Sequence, residues 1–288
     1  MPESYLLGLI GSPVGHSLSG HLHEAALRAS GLKGSYKLLE VAEAELAGTI
    51  TRLSQDGYRG VNVTIPYKQV VLPLLDELCP LSDLLGAVNT IVFESNGEIR
   101  GFNTDVYGFE KALAELLPER CSKVAAMVLG AGGAARASLV GLFDLGFEKV
   151  FLTARKKSAA LRLIEDLESR AQVAPGAIVA TGLEQLNEKQ FSVLINATPI
   201  GQTDRQLPLW LSDSIAGLAS DCLIYDLVYS RSLDQPTPVV AAGRKRDLAS
   251  FDGIDMLVYQ AARAFEIWTG QIPDPVVMKA SLFQAGDI

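Results

Sequence analysis

The 288-residue sequence predicts an α/β fold organised as two domains, and three features carry that prediction. Strand-like and helix-like stretches alternate from the N-terminus to about residue 253. One stretch, Lys123 to Gly146, reads as a buried strand, a tight glycine turn and a helix in direct succession. The length suffices for two domains of ordinary size, each with its own core.

Tyr5 to Ile10 is the first strand. Ser19 caps a short helix that runs to Ser30, and Gly31 stops it. Ser35 to Val41 is a second strand, and Glu43 to Asp56 a helix whose buried stripe is Leu46, Ile50 and Leu53, at i, i+4 and i+7. The strand Gly60 to Thr64 ends at Ile65-Pro66, because proline cannot donate to a ladder and biases the preceding residue to extended backbone. Tyr67 and Lys68 open a further helix. Val88 to Phe93 and Ile99 to Asn103 form a hairpin across Asn96-Gly97, and Asp105 caps the helix that follows to Leu117. Beyond the glycine-rich unit come strands at 150–154, 177–180, 191–197 and 222–228 and a helix from Ser158 to Ser169. Their near-continuous Val, Ile and Leu predict a parallel sheet covered on both faces. Two helices, Ile254 to Thr269 and Pro275 to Gln284, follow Gly253.

Composition excludes several classes of function. A formal net charge of −8 disfavours nucleic acid, whose phosphates need clustered Lys and Arg. No apolar run approaches about 18 residues, so no membrane span is expected. The start, residues 1–12, lacks a basic n-region and reads as a strand, which predicts a cytoplasmic protein. Cys79, Cys121 and Cys222 form no CxxC pair, and His21 and His23 face different sides of one helix, so no metal site is expected.

The turn Gly130-Ala131-Gly132-Gly133-Ala134 lets backbone N–H groups approach a pyrophosphate, with the partial positive charge of the helix start behind them. That predicts a dinucleotide site. An NAD-type site has an Asp or Glu at the end of the next strand; here that strand ends Ala154-Arg155-Lys156-Lys157. A guanidinium there fits a 2′-phosphate, so the predicted cofactor is NADP.

Other polar residues ask for a small-molecule substrate. Ser17 and Ser19 follow the first strand as i, i+2 hydroxyls, able to bind a carboxylate or simply to make a turn and a cap. Asn62 and Thr64 share one face of their strand, Lys68 follows within a turn, and Asn89 interrupts an apolar strand shortly before Asp105. Gln260 lies beside the apolar face of its helix, and a buried amide needs partners that a polyhydroxylated ligand would supply. Hydride transfer to a ring ketone leaves an alkoxide that needs a proton, which an ammonium can donate. Lys68 is that candidate, with Asp105 to hold it.

As an ordered set these motifs resemble the shikimate dehydrogenase family. The set comprises Gly11 to Ser19, Asn62 to Lys68, Asn89-Thr90, Gly101 to Asp105, Gly130 to Ala134, Asn196 to Gly201, Tyr225-Asp226 with Tyr229, and Gly253 to Gln260. The resemblance implies an N-terminal α/β substrate domain (1–105), a Rossmann NADP-binding domain (106–253), and C-terminal helices (254–288) that return to the first. It implies reversible reduction of 3-dehydroshikimate to shikimate by a monomer or homodimer. By position, Lys68 and Asp105 would be the catalytic pair, and Ser17, Ser19, Asn62, Thr64, Asn89, Tyr229 and Gln260 would join them in binding substrate. Gly130, Ala131, Gly132, Gly133, Ala134, Arg136, Ala154, Arg155, Lys156, Thr198, Gly253 and Met256 would bind NADP. The sequence departs from the family at Gly20, Glu24, Gln202 and Ala154, where proline, asparagine, methionine and asparagine are usual, and retains Arg155. Rival readings are a quinate/shikimate dehydrogenase that prefers NAD and a catalytically silent NADPH-binding regulator.

Overall fold

The computed structural model describes residues 4–119, 121–170, 173–188, 190–202, 206–230 and 235–284. The ends of the expected first and C-terminal segments, 1–3 and 285–288, lie outside them. The chain divides into two compact units: residues up to Gly108 with those from Leu257 onward, and Phe109 to Met256.

The first unit is built on β1 (Tyr5–Gly11), α1 (Ser19–Ala29), β2 (Gly34–Glu40), α2 (Leu46–Gln55), β3 (Tyr58–Val63), β4 (Glu77–Leu78), α3 (Pro80–Leu85), β5 (Thr90–Phe93), β6 (Ile99–Phe102) and the start of α4 (Asp105–Leu116). Its sheet runs β2-β1-β3-β5-β6-β4. β1 pairs in parallel with β2 and β3, whereas β3–β5 and β5–β6 are antiparallel. The stripe Leu46, Ile50 and Leu53 of α2 packs with Ile10, Val61, Val63, Val88 and Ile91 in one buried cluster.

The second unit contains β7 (Ala125–Leu129), α5 (Gly133–Asp144), β8 (Lys149–Thr153), α6 (Lys157–Ser169), β9 (Ile178–Ala180), β10 (Val193–Asn196), α7 (Leu209–Ala216), β11 (Leu223–Asp226), α8 (Pro238–Arg244), β12 (Ser250–Phe251) and the start of α9 (Ile254–Thr269). Every pairing in its sheet, ordered β12-β11-β10-β7-β8-β9, is parallel. All residues of β7, β10 and β11 are buried, as strands covered on both faces require. Strand order reverses at β7, between β8 and β10, which is where sheets of this kind bind ligands at their carboxyl ends.

α9 carries the chain back into the first unit, and α10 (Pro275–Gln284) packs on α1, where the Ser281 hydroxyl donates to the His21 carbonyl at 3.2 Å. Trp268 of α9 lies over β3: its Nε1 donates to the Ile91 carbonyl at 2.9 Å. A Cβ at Gly60 would come within 2.2 Å of that nitrogen, so only glycine admits the indole.

Four local expectations are corrected. Leu18, not Ser19, occupies the N-cap of α1; Ser17 Oγ accepts the Ser19 N–H at 3.2 Å, so the acceptor comes from two residues earlier. Glu43 to Glu45 is a 3-10 turn ahead of α2. Tyr67 and Lys68 lie in a run of turns, because Pro73 lacks an N–H and the segment shortens to a 3-10 turn at Leu72–Leu74. Asp105 is the first residue of α4 and not its cap; Asn103 Oδ1 accepts the Asp105 N–H at 3.0 Å, which leaves the Asp105 carboxylate for other partners.

Candidate active site

In the first unit the polar residues converge on the ends of β3 and β5. Tyr67 is buried and its hydroxyl donates to the Val41 carbonyl at 2.6 Å, pinning the turn, while the Lys68 carbonyl accepts the Val88 N–H at 2.8 Å. Lys68 Nζ is thereby delivered to Asp105 Oδ2 at 2.6 Å, with side-chain exposures of 21% and 8%. Such a pair keeps its charges at low cost only if the remaining carboxylate oxygen is also satisfied. Asn89 does this, its Nδ2 lying 2.8 Å from Asp105 Oδ1. The orientation of that amide is fixed, because Asn89 Oδ1 accepts the backbone N–H of Thr104 at 2.8 Å and the amide nitrogen must then face the carboxylate.

Asn62 is buried and spent on the protein: Nδ2 donates to the Asn89 carbonyl and to Thr90 Oγ1, both at 3.1 Å, and Oδ1 accepts the Tyr36 hydroxyl at 2.8 Å. Its burial needs no ligand. Thr64 sits just past the end of β3, half-buried, with its N–H bonded to the Ile10 carbonyl at 2.9 Å. Gln260 is half-buried and does not require a ligand either: Nε2 donates to the Leu257 carbonyl of its own helix at 2.8 Å, and Oε1 lies 3.5 Å from Asn89 Nδ2. Ser17 and Ser19 pair hydroxyl to hydroxyl at 3.1 Å. His23 is fully buried and stacked on Tyr36, and burial pushes its imidazole down to about 3, leaving it neutral. Among the described residues no group of three or more His, Cys, Asp or Glu is placed to hold a metal ion.

In the second unit the glycine turn joins β7 to α5. Gly130 has φ +113°, and a Cβ there would meet the Ala197 carbonyl oxygen at 2.7 Å, so the position demands glycine. Gly132 is exposed with open space above it, no side chain caps α5, and its first turn holds no acid. The free N–H groups of that turn have no intrahelical acceptor and suit an anion. The Gly130 N–H bonds the Thr153 carbonyl at 2.8 Å, which ties the turn to the end of β8. There Ala154 is half-buried, and Arg155, Lys156 and Lys157 are exposed at the start of α6, again with no acid in the first turn. The guanidinium of Arg136, by contrast, is buried against Asp166, which also takes Arg170 at 3.1 Å.

After β10, Asn196 Oδ1 accepts both the N–H (3.2 Å) and the hydroxyl (2.6 Å) of Thr198. Asn196 Nδ2 donates to Asp226 Oδ1 at 2.7 Å, and Thr237 to Oδ2 at 2.6 Å. Burial pushes the Asp226 carboxyl up to about 7, against the pull of those hydrogen bonds. Gly253 donates its N–H to Val228 at 3.1 Å, joining the start of α9, with buried Met256, to the loop that carries half-buried Tyr229. Tyr229 thus belongs to the second unit, and the other expected substrate residues to the first.

Thr90, Thr104, Asn103 and Tyr36 in the first unit, and Thr237 in the second, received no role from sequence. A signal existed for Thr90. It stands with Asn89 at the head of an otherwise apolar run, where a buried hydroxyl needs a hydrogen-bond partner.

Comparison with known proteins shows the family. A family model described as "Shikimate dehydrogenase substrate binding domain" matches residues 9–91, and one described as "Shikimate 5'-dehydrogenase C-terminal domain" matches residues 253–283. The chain is 37% identical over 268 residues to the shikimate dehydrogenase (NADP(+)) of Magnetococcus marinus, covering 93% of this chain and 92% of that protein. The chain belongs to the shikimate dehydrogenase family. Solved members superpose along nearly the whole length. A shikimate dehydrogenase in complex with NADP+ has a TM-score of 0.88 at 32% identity, covering 98% of this chain and 95% of that one. Shikimate 5-dehydrogenase from Thermus thermophilus, in complex with NADP(H) and shikimate, has 0.83 at 34%, covering 98% and 99%. A quinate dehydrogenase from Corynebacterium glutamicum in complex with NAD has 0.86 at 30%, covering 98% and 100%.

Proposed function

We propose that this chain is an NADP-dependent shikimate dehydrogenase that interconverts 3-dehydroshikimate and shikimate. The observation that carries this reading is the Lys68–Asp105 pair at 2.6 Å, braced by an Asn89 amide whose orientation is fixed. The glycine turn, the uncapped start of α5 and the exposed cations after β8 fit a dinucleotide with a 2′-phosphate. Gly130 to Ala134, Arg155, Lys156 and Thr198 would hold it, with Gly253 and Met256 at the start of α9; Arg136 would act from behind the turn, braced by Asp166. When bound, NADP(H) supplies or accepts the hydride.

The protein's residues do the remainder. Ser17 and Ser19 would take the substrate carboxylate and Thr64, Tyr229 and Gln260 its ring hydroxyls, while Asn62 and Asn89, whose amides are committed to protein partners, would hold the substrate-facing groups in place. The Lys68 ammonium directs one of its three N–H donors to Asp105, which leaves donors for the ketone oxygen as it gains negative charge. Lys68 then passes a proton to that oxygen, and in the reverse direction takes it back. The similarity to a quinate dehydrogenase that binds NAD admits a second reading, but Arg155 in place of an acid after β8 favours NADP. The three free thiols, Cys79, Cys121 and Cys222, suit a reducing cytoplasm, where the chain would work as a monomer or homodimer. Lys68→Ala is expected to lower kcat for shikimate oxidation by at least about a hundredfold with a modest change in KM. An unchanged kcat would remove Lys68 from the mechanism.

A further inference from the structure

A buried chain of hydrogen bonds runs through the first unit from Tyr36, beside the serine pair, to the Lys68–Asp105 pair. Ser17 Oγ lies 3.1 Å from Ser19 Oγ, and the Ser19 side chain sits beside the Tyr36 phenol, lowering its pKa against the larger, opposite effect of burial. The Tyr36 hydroxyl donates to Asn62 Oδ1 (2.8 Å), Asn62 Nδ2 to Thr90 Oγ1 (3.1 Å), Thr90 Oγ1 to Asn89 Oδ1 (2.9 Å), and Asn89 Nδ2 to Asp105 Oδ1 (2.8 Å). Asp105 Oδ2 receives Lys68 at 2.6 Å.

The direction of every link between Tyr36 and Asp105 is fixed by backbone atoms. The Asn89 carbonyl can only accept, so Asn62 must present its nitrogen there and its oxygen to Tyr36. The Thr104 N–H can only donate, so Asn89 must present its oxygen there and its nitrogen to Asp105. Thr90 has one hydroxyl proton; with Asn62 donating to it, that proton goes to Asn89. Tyr36 is held as a donor in turn. Burial pushes its phenol well above the ordinary range, and its ring is stacked on neutral His23 at 4.5 Å with the planes 8° apart.

We propose that Tyr36 and Thr90 are positioning residues that couple the Ser17–Ser19 pair to the orientation of Asn89 and Asp105, and hence to the placement of the Lys68 ammonium. Neither side chain touches the reacting atoms. The proposal rests on the reading that Lys68 and Asp105 handle the proton and the serines bind the substrate carboxylate.

The test is steady-state oxidation of shikimate with NADP+ by Thr90→Val, Thr90→Ser, Tyr36→Phe and the Tyr36→Phe/Thr90→Val double variant, with Lys68→Ala alongside and thermal unfolding of each. Thr90→Val is nearly isosteric and removes one donor and one acceptor; it should lower kcat about tenfold and change KM less than about threefold, and Thr90→Ser should restore kcat to within about twofold. Tyr36→Phe keeps the stacked ring and loses only the hydroxyl; it should lower kcat about threefold. Because both act through one chain, the double variant should lose little more than Thr90→Val alone. Parent-like kcat in folded Thr90→Val and Tyr36→Phe, whatever their melting temperatures, overturns the proposal; so does failure of Thr90→Ser to rescue, or a double variant whose losses multiply. If Thr90→Val does not fold, Tyr36→Phe and Thr90→Ser carry the same test, with kcat falling in the first and held in the second. Parent-like kcat in Lys68→Ala would sink the underlying reading itself, whereas loss there with parent-like Thr90→Val sinks the coupling alone.

Discussion

Lys68 and Arg155 are both cations in segments that follow a strand, yet their surroundings differ. Lys68 is shielded and faces one carboxylate; Arg155 is exposed, with no acid in the first turn of the helix beside it. Cations at a helix start are unfavourable unless an anion visits, which is the physical case for a 2′-phosphate there. Arg155→Ala should therefore raise KM for NADPH much more than KM for NADH, as measured with 3-dehydroshikimate, and equal effects would contradict this assignment. Residue by residue, types and spacing were easier to foresee than partners. Lys68, Asp105 and Asn89 stand out in sequence because apolar neighbours make them anomalous. Ser19 and Asp105 were expected as caps because capping is the local use of such residues; Ser19 pairs instead with Ser17, two residues earlier, and Asp105 with the distant Lys68. The roles of Tyr36 and Thr90 depend on strands brought together from residues 36, 62 and 90, and no local pattern contains that pairing.

Among the elements, long periodic ones were legible and short ones were not. α9 and α10 run as expected from Ile254 to Thr269 and from Pro275 to Gln284. α3, α7 and α8 have six to eight residues, too few to show a period, and α7, Leu209–Ala216, mixes apolar residues around its circumference. β4 and β12, with two residues each, exist only because a neighbouring strand offers an edge. One contact between elements makes a pH prediction. Glu110 of α4 faces Asp144 of α5, and burial, together with that second carboxyl, raises Glu110 from 4.5 to about 7. The folded chain therefore holds a proton that the unfolded chain releases above 4.5, so this contribution to stability is complete below that pH and is lost as pH rises through about 7. The melting temperature of the parent should fall more between pH 5 and pH 8 than that of Glu110→Gln. Identical pH profiles would show that the carboxyl pair does not share a proton.

At the scale of the whole molecule, the chain is two α/β units with different sheets, one mixed and one wholly parallel, exchanged within α4 and α9. The wholly parallel sheet was legible in its runs of Val, Ile and Leu. In the first, the β5–β6 hairpin was legible in its Asn96-Gly97 turn, but the antiparallel pairing of β3 with β5 was not, since alternating strands and helices do not reveal which strand a hairpin joins. The first unit holds the Lys68–Asp105 pair and the second the glycine turn, and the proposed reaction calls on both. Steady-state oxidation of shikimate and of quinate, each with NADP+ and with NAD+, tests that claim most directly. The highest kcat/KM is expected for shikimate with NADP+; a higher value for quinate or for NAD+, or no turnover with any pair, would contradict it.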